Sequence, residues 1–271
     1  MGLVPAAGNA SRLAPLPCSK EILPVGFQAR DGLEGPRPMA ACEHLLGSMQ
    51  QGGARRAYIV LRDGKWDIPA YLGDGQEIGL QLAYLVGRVP FGVPFTLDQA
   101  YDFVRGHRVA CGFPDILTEP QDVFGPLLAR LEATEAAVAL ALFPADDPQL
   151  MDQVRVDGDG RVRRIQVKPG RERLDCGWVA AAWGPEFTEL LRAWVVDAFE
   201  HIRRHGALDR EPHLGDVLQA AIDADLIVQG VDFPAGSFTD IGAPERLSSI
   251  WRRAADGVST AAASADEKGA P

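Results

Sequence analysis

The residue types best suited to chemistry lie near the start of the chain, in the stretch VPAAGNASRLAPLPCSKEILPVG from Val4 to Gly26. It combines small residues and one glycine with Arg12 and Lys20. Backbone N–H groups of small residues can approach phosphate oxygens closely, arginine adds a planar fork of donors, and lysine adds a mobile point charge. The stretch therefore predicts a loop that binds an anion; a surface loop with two solvated cations is the alternative.

Two common phosphate-binding motifs do not describe this loop. Gly8 is the only glycine between Val4 and Pro24, so the three glycines of the dinucleotide-binding fingerprint are absent. The Gly-Lys-Ser/Thr ending of the P-loop is absent from this stretch as well. A phosphate-binding loop at this place must therefore follow another design.

The spacing of apolar residues predicts the elements that position this loop. Residues 2–7 are predicted as a short buried strand that meets a turn at Gly8. Apolar residues at steps of three or four predict helices over residues 37–56, 96–104 (with Thr96 as N-cap), 122–135, 188–206 and 213–225. Apolar runs predict strands, two of which continue into loops, over residues 57–63, 80–87, 107–117, 136–146, 174–187 and 226–234.

The order of these elements predicts the fold class. Helices and strands alternate through the first 145 residues, which implies an α/β fold with a mainly parallel sheet covered on both faces. An Asp-Gly pair within residues 154–170 predicts a hairpin, and with it a small inserted β section. Open parallel sheets bind ligands beyond the carboxyl ends of their strands, so the loop after the first strand is suitably placed.

Length, charge and cysteine content exclude several classes of protein. The 271 residues carry a formal net charge of −10, which argues against a nucleic-acid partner, because phosphate backbones are bound by clustered Lys and Arg. No run of eighteen apolar residues and no signal peptide is evident, so we expect no membrane partner and a cytoplasmic location. The four cysteines are scattered without a metal-binding spacing: Cys18, Cys42, Cys111 and Cys176.

The stretch PAAGNASRLAPLPCSKEILPVG resembles the signature of the sugar-nucleotide pyrophosphorylases, in which a small residue and Ala-Gly-x-Gly-Thr-Arg-Leu precede a spacer, Pro-Lys and Leu-Pro-Val. The nearest-looking members are the glucose-1-phosphate thymidylyl- and uridylyltransferases. They transfer a nucleoside monophosphate from a nucleoside triphosphate to a sugar 1-phosphate and release pyrophosphate. The resemblance implies such an enzyme, with a three-layer α/β/α Rossmann-like nucleotidyltransferase (GT-A-like) fold over residues 1–253. Residues 254–271 are rich in Ala, Ser and charge, which predicts a disordered tail.

The resemblance also implies roles for residues on the nucleotide side. Arg12 would hold the leaving pyrophosphate, and Lys20 would neutralise the α-phosphate. LDQAYDFV is similar to a helix whose glutamine reads a pyrimidine base, which assigns that role to Gln99. The implied nucleotide-binding positions in the loop are Ala6, Ala7, Gly8, Asn9, Ala10, Ser11 and Arg12.

Further blocks imply a metal site and an acceptor site. VACGFPDIL and GSFTDIGAPERL resemble the blocks that carry two metal-binding aspartates, here Asp115 and Asp240, with Mg²⁺ as cofactor. Asp115 would then act in catalysis together with Arg12 and Lys20. IQVKPG resembles a block whose lysine, here Lys168, holds the sugar phosphate, and CGWVAAAWGPEF resembles the strand whose glycine, here Gly177, lies under the sugar.

Departures from the family pattern leave alternatives open. Ala10 replaces the usual second glycine, Ser11 replaces a threonine, and Val167 replaces a glutamate that binds sugar hydroxyls. Guanylyl or cytidylyl transfer to another sugar phosphate or a non-sugar phosphate therefore remains an alternative, as does a non-catalytic regulator that binds nucleotide sugars. Uracil and thymine differ by one methyl group, so the sequence does not decide between them. Residues 190–199 could form an interface between copies in a homo-oligomer.

Overall fold

The computed structural model describes residues 1–30, 34–87, 92–144, 151–168 and 174–255. Its strands are β1 (Gly2–Pro5), β2 (Pro24–Gln28), β3 (Arg37–Ala40), β4 (Arg56–Arg62), β5 (Gln81–Gly87), β6 (Val109–Gly112), β7 (Ile116–Glu119), β8 (Val138–Phe143), β9 (Gln153–Val156), β10 (Val162–Gln166), β11 (Cys176–Trp183), β12 (Val228–Asp232) and β13 (Ser237–Asp240). Its α-helices are α1 (Ala41–Gln51), α2 (Asp67–Leu72), α3 (Val93–Asp98), α4 (Tyr101–Val104), α5 (Phe124–Ala133), α6 (Pro185–His205) and α7 (Leu214–Asp223), and residues 244–255 are also helical.

The main sheet follows the order β10-β9-β11-β6-β1-β4-β5, and β8 joins β11 to β12. β1 is parallel to β4 and β6, β4 is parallel to β5, and β8 is parallel to β12. β11 opposes β6, β8 and β9, and β10 opposes β9. These pairings confirm the predicted mixed sheet, in which most strands share one direction, and the β9–β10 hairpin is the predicted inserted section.

Helices cover both faces of this sheet. Alternate strand residues face opposite sides, so that Leu3 belongs to one buried cluster and Val4 to the other. On the Leu3 side lie α3, α4, α6 and α7, which contribute buried residues such as Phe95 and Phe187. On the Val4 side lie α1, α2 and α5, with residues such as Leu46. The predicted three-layer α/β/α arrangement is confirmed.

Three local predictions were wrong. The single helix predicted over residues 96–104 is two short helices, α3 and α4, with a turn at residues 99–100 between them. Residues 37–40 do not begin the helix that was predicted over 37–56, because they pair as β3 with β2, and α1 starts only at Ala41. Thr96 does not cap a helix. It lies inside α3, whose N-cap is Gly92, and its Oγ1 donates to the Gly92 carbonyl at 3.2 Å. Apolar periodicity locates a helix but does not fix its first residue.

The last part of the described chain holds elements that were not predicted. β13 pairs antiparallel with β7, and the helix over residues 244–255 packs against the β2–β3 hairpin. Ile241, Leu247 and Ile250 form a separate small core there with Leu23 and Val25. This core fixes the chain that leads out of β13, next to Asp240.

Residues 256–271, most of the predicted tail, lie outside the described residues. The helix that begins at residue 244 runs to residue 255, two residues past the predicted end of the domain at 253. Across the described ranges, no helix combines the length and the apolar character that crossing a membrane requires.

Candidate active site

The loop after β1 lies at the carboxyl edge of the sheet. The N–H of Ala6 donates to the carbonyl of Val60 at 2.8 Å, which extends the pairing of β1 with β4. Beyond this point the chain leaves the sheet. Among the predicted nucleotide-binding positions, Ala6 is buried, and Ala7 and Ala10 are half-buried. The other four positions are exposed: Gly8, Asn9, Ser11 and Arg12. Most of the loop is therefore accessible to a ligand.

Ala10 holds the sharpest bend of this loop. Its φ is 52°, in the left-handed region, and its carbonyl accepts from the N–H groups of Leu13 and Ala14 at 2.9 and 3.1 Å. This conformation costs a residue with a Cβ about 1–2 kcal/mol. The strain gives a physical reason for the glycine that the family signature carries at this position.

Two ion pairs bring together the four residues expected to carry the chemistry. Arg12 Nη2 lies 3.2 Å from Asp240 Oδ2, and Lys20 Nζ contacts Asp115 Oδ2. The Lys20 and Asp115 side chains are each 15% exposed, whereas the Arg12 side chain is 56% exposed. Arg12 therefore extends into solvent, and Lys20 lies deeper in the site.

Backbone pairing places the two aspartates side by side. Asp240, at the end of β13, is opposite Ile116 of β7, and the N–H of Ile241 donates to the carbonyl of Asp115 at 2.9 Å. The N–H of Gly242 donates to Asp240 Oδ1 at 2.7 Å. A Cβ on Gly242 would lie 2.8 Å from both Arg12 Nη2 and Asp240 Oδ1, so this position has no room for a side chain unless both side chains move.

Charges at the site act on one another. Burial alone would lower the pKa of Lys20, but the Asp115 carboxylate, with smaller contributions from Glu21 and Asp240, raises it above its ordinary value. Lys20 is therefore a cation at neutral pH. A Cβ on Gly8 would lie 3.9 Å from Lys20 Nζ, so the exposed loop and both ion pairs belong to one cluster.

Several residues that support Lys20 were not predicted from the sequence. The N–H and Oγ of Ser19 donate to the Asp67 carboxylate at 2.6 and 2.7 Å, which fixes the backbone before Lys20. Next to it, Lys65 donates to Glu21 at 2.6 Å, and both side chains are almost fully buried. Lys65 follows the carboxyl end of β4, the strand that pairs with β1. This position in the sequence could have identified Lys65 as a residue near the loop.

A cavity of about 320 Å³ opens beside the loop. Residues from 8 to 20 line one side of it, and Arg62 and Lys65 line the other. The Nε of Arg62 is buried without a hydrogen-bond partner among the described residues. Cations from the loop after β1 and from the chain at the end of β4 therefore line the same space, together with the Asp67 carboxylate, and such cations suit phosphate oxygens.

Gln99 lies at the same edge of the sheet, two strands from β1. It is the C-cap of α3 rather than a residue of the helix body, and its amide packs directly on Gly87, the last residue of β5. A Cβ on Gly87 would overlap this amide. A flat amide lying on a backbone is well placed to meet the edge of a base, so the predicted role remains compatible with the geometry.

The two predicted acceptor residues have different surroundings. Lys168 is exposed, has a φ of 40°, and follows the end of β10. Gly177 is buried in β11, and a Cβ there would overlap the side chain of Met151. The space above Gly177, where the resemblance implies a sugar, therefore contains Met151. This is the main structural difference from the predicted site.

The carboxylates suit the predicted Mg²⁺. Asp115 and Asp240 are hard oxygen donors on adjacent backbone segments, and Mg²⁺ usually takes one or two protein carboxylates together with water and substrate phosphates. No group of three or more His, Cys, Asp or Glu side chains that could form a complete protein cage occurs in the described ranges. The donor set fits a metal that is bound jointly with a phosphate ligand.

Several known proteins are similar to this chain in sequence. No protein-family model matches the chain. A glucose-1-phosphate thymidylyltransferase from Actinoplanes sp. is 29% identical over 175 residues, covering 64% of this chain and 54% of the relative. The chain spans about half the length of the curated relatives it matches, between 44% and 58%.

Solved structures show the same fold at lower identity. A UDP-glucose pyrophosphorylase complexed with UDP-glucose superposes with a TM-score of 0.72 at 14% identity, over 94% of this chain and 98% of that one. The inositol-1-phosphate CTP transferase from T. maritima has a TM-score of 0.65 at 20% identity, over 92% and 95%. The names of these proteins agree with the prediction of an enzyme of the nucleotidyltransferase type. The chain is a sequence relative of the glucose-1-phosphate thymidylyltransferases and has the fold of the sugar-nucleotide pyrophosphorylases.

Proposed function

We propose that this chain transfers a nucleoside monophosphate from a nucleoside triphosphate, with dTTP or UTP favoured, to a sugar 1-phosphate, with glucose 1-phosphate favoured. Pyrophosphate is the second product. The observation that carries the proposal is the convergence of Arg12, Lys20, Asp115 and Asp240 beside an exposed loop at the carboxyl edge of the sheet. The name of the Actinoplanes relative supports the choice of substrates.

The reaction is a displacement at the α-phosphorus. A phosphate oxygen of the sugar phosphate forms a new bond to that phosphorus, and the bond to the pyrophosphate oxygen breaks. The attacking oxygen is already an anion, so the site needs no general base. The barrier is the repulsion between two anionic phosphates, and positioned cations lower it.

The positions of the charged residues suggest which phosphate each of them contacts. Lys20, which lies deep beside Asp115, meets the α-phosphate, and the more exposed Arg12 holds the leaving pyrophosphate. Both cations must turn from their aspartates to the phosphates. Asp115 and Asp240, released from these pairs, would hold Mg²⁺, which supplies further neutralisation of phosphate charge when bound.

Gln99 and Lys168 would select the two substrates. The amide of Gln99 can donate to a carbonyl and accept from the N3–H of uracil or thymine. Lys168 would orient the attacking phosphate from the end of β10. Because Met151 covers Gly177 and Val167 replaces an acid, the acceptor could also be another sugar phosphate or a non-sugar phosphate, with a different base on the donor.

Release of pyrophosphate tests the proposal directly. The wild-type chain is incubated with Mg²⁺, each common nucleoside triphosphate and a panel of sugar phosphates, and pyrophosphate formation is followed. We expect turnover with dTTP or UTP and glucose 1-phosphate. Substitution Asp115→Asn should then slow turnover about 100-fold, which corresponds to roughly 3 kcal/mol of transition-state stabilisation.

A matched control is Asp159→Asn, which removes a carboxylate from the exposed turn of the β9–β10 hairpin. It should turn over like the wild type. An Asp115→Asn variant as fast as the wild type would contradict the assignment of the metal site. Nucleotide binding without turnover for any pair of substrates would instead favour the non-catalytic alternative.

A further inference from the structure

Three neighbouring strands form the acceptor side of the site, in the order β10-β9-β11. Lys168 follows the end of β10, Gly177 lies in β11, and β9 runs between them. Gln166 of β10 is opposite Gln153 of β9. Continuing this antiparallel register by one residue places Val167 opposite Asp152.

Asp152 is tied to both neighbouring strands. Its carbonyl accepts from the N–H of Trp178, the residue after Gly177, at 3.4 Å. The backbone N–H of Lys168 lies close enough to the Asp152 carboxylate to favour its ionised form and lower its pKa. Asp152 therefore lies between the two residues predicted to contact the acceptor.

The surroundings of this carboxylate are closely packed. A Cβ on Gly215, in the first turn of α7, would overlap Asp152 Oδ2 and would lie 3.0 Å from Val167 Cγ2. The carboxylate thus occupies space that a side chain at residue 215 would need. The apolar side chain of Val167 lies in the same space but offers no polar contact to an acceptor.

The nearest charged groups do not neutralise Asp152 by direct contact. Arg210 pairs with Asp216 at 3.0 Å, and Asp152 itself forms no ion pair within the described ranges. Burial raises the pKa of Asp152 to about 6, with Lys168 opposing the rise and Asp216 adding to it. Above pH 6 the carboxylate is mostly ionised, and its oxygens can accept hydrogen bonds from a ligand.

We propose that Asp152 is the residue that recognises the hydroxyl groups of the acceptor, in place of the acid that family members carry at the position of Val167. This inference rests on the proposed function. Facing residues on paired strands have Cβ atoms about 5 Å apart. The carboxylate of Asp152 would therefore lie about one strand spacing from the position of the acid in relatives, and it would bind a different hydroxyl group. The acceptor is then a polyhydroxylated phosphate with a hydroxyl group at that place.

The test compares the wild type with Asp152→Asn, and uses Asp159→Asn on the same hairpin as control. Initial rates are measured over a range of concentrations of the acceptor and of the nucleoside triphosphate. We expect Asp152→Asn to lower kcat/KM for the acceptor 10- to 100-fold, the range for one or two hydrogen bonds to a charged group. The KM for the nucleoside triphosphate should change less than twofold.

Deoxy analogues of the acceptor separate recognition from a structural effect. Removing the recognised hydroxyl should cost the wild type at least tenfold in kcat/KM and should cost Asp152→Asn almost nothing. The double variant Asp152→Ser, Val167→Glu moves the acid to the facing strand. It should recover turnover, but its preference among the deoxy analogues should differ from that of the wild type. Equal kcat/KM for the acceptor in the wild type and Asp152→Asn would overturn the inference and leave the proposed function standing.

If the wild type turns over no pair of substrates, the proposed function fails, and the inference is decided by binding. Sugar 1-phosphates are then titrated calorimetrically into the wild type and into Asp152→Asn. Binding that is at least tenfold weaker in the variant supports recognition by Asp152. Equal binding, or no binding to the wild type, overturns it.

Discussion

At the scale of single residues, each cation of the site forms an ion pair with a carboxylate of the same site. Arg12 lies on Asp240 and Lys20 on Asp115, so four charged groups share a small region without net charge. A triphosphate and a divalent cation bring opposite charges that can replace each internal partner. Each of the four side chains therefore has an oppositely charged partner before and after binding, which avoids leaving an unpaired, half-buried ion at either stage.

Asp152 differs, because it is largely shielded from solvent and makes no ion pair within the described residues, and this predicts an unusual pH dependence of stability. Its pKa is about 6 in the folded chain and about 4 in the unfolded chain. As the pH rises from 4 to 6, the unfolded state loses the proton first, so the free energy of unfolding falls. Substitution Asp152→Asn should raise the free energy of unfolding by about 3 kcal/mol at pH 8 and by almost nothing at pH 4.

Urea unfolding of both proteins at pH 4, 6 and 8 measures this difference. Asp159→Asn is again the control, because that side chain is exposed, and its effect should not change with pH. A variant that is less stable than the wild type at pH 8 would show that Asp152 stabilises the fold, contrary to this argument. If Asp152→Asn is more stable than the wild type but binds the acceptor more weakly, Asp152 serves function at a cost in stability.

At the scale of elements, the end of β5 depends on a glycine that supports Gln99. Substitution Gly87→Ala places a methyl group in the space of the Gln99 amide, so the amide must turn away. We expect the KM for the nucleoside triphosphate to rise about tenfold, because one or two hydrogen bonds to the base are lost. The discrimination between pyrimidine and purine donors should weaken in the same assay.

Gly158→Ala provides the control for this change, since no heavy atom lies within 4 Å of a Cβ at that turn. Gln99 is only half-buried, so we expect the melting temperature of Gly87→Ala to stay close to that of the wild type. An unchanged KM and an unchanged choice of base would show that Gln99 does not contact the base.

Some strands of the fold could be predicted from the sequence and others could not. β1, β4 and β8 are short runs of buried apolar residues, which is why their positions followed from composition and periodicity alone. β3 was taken for the start of a helix, because a four-residue strand that pairs only with β2 has no periodicity of its own. β13 was missed for the same reason, since its four residues are stabilised by pairing with β7.

The site itself was predicted unevenly, for a related physical reason. Arg12, Lys20, Asp115 and Asp240 stand in motifs of fixed spacing, and the structure brings them together. The packing of Met151 over Gly177 and the position of Asp152 opposite Val167 depend on how β9, β10 and β11 align. Register between strands distant in sequence leaves no local signal, so sequence motifs could not reveal these contacts.

At the scale of the whole molecule, the carboxyl edge of the sheet collects residues from every part of the described chain. The loop after β1, the end of β5, the acceptor strands and the chain after β13 all meet there. The small core around Ile241 and Ile250, with Trp251 donating from Nε1 to the carbonyl of Pro24 at 2.7 Å, links the last helix to the region after the loop. Binding at this edge should therefore stabilise the whole fold.

This linkage predicts that magnesium and nucleotide stabilise the protein only together. Asp115 and Asp240 are neutralised by Lys20 and Arg12, so Mg²⁺ alone meets no free pair of carboxylates and should leave the melting temperature almost unchanged. With a triphosphate at about 100 times its Kd, the stabilisation should reach about 2.7 kcal/mol. For a chain of this size, that corresponds to a rise of roughly 5–10 °C.

Thermal melts with Mg²⁺, with dTTP or UTP plus chelator, and with both together measure these effects. In Asp240→Asn, Arg12 loses its carboxylate partner and the metal loses a ligand. The joint effect of metal and nucleotide should therefore shrink, while the effect of nucleotide alone persists or increases, because Arg12 is free to meet phosphate. A large stabilisation of the wild type by Mg²⁺ alone would mean that the carboxylates bind metal without a phosphate ligand, and the exchange of ion-pair partners would then be the wrong description of this site.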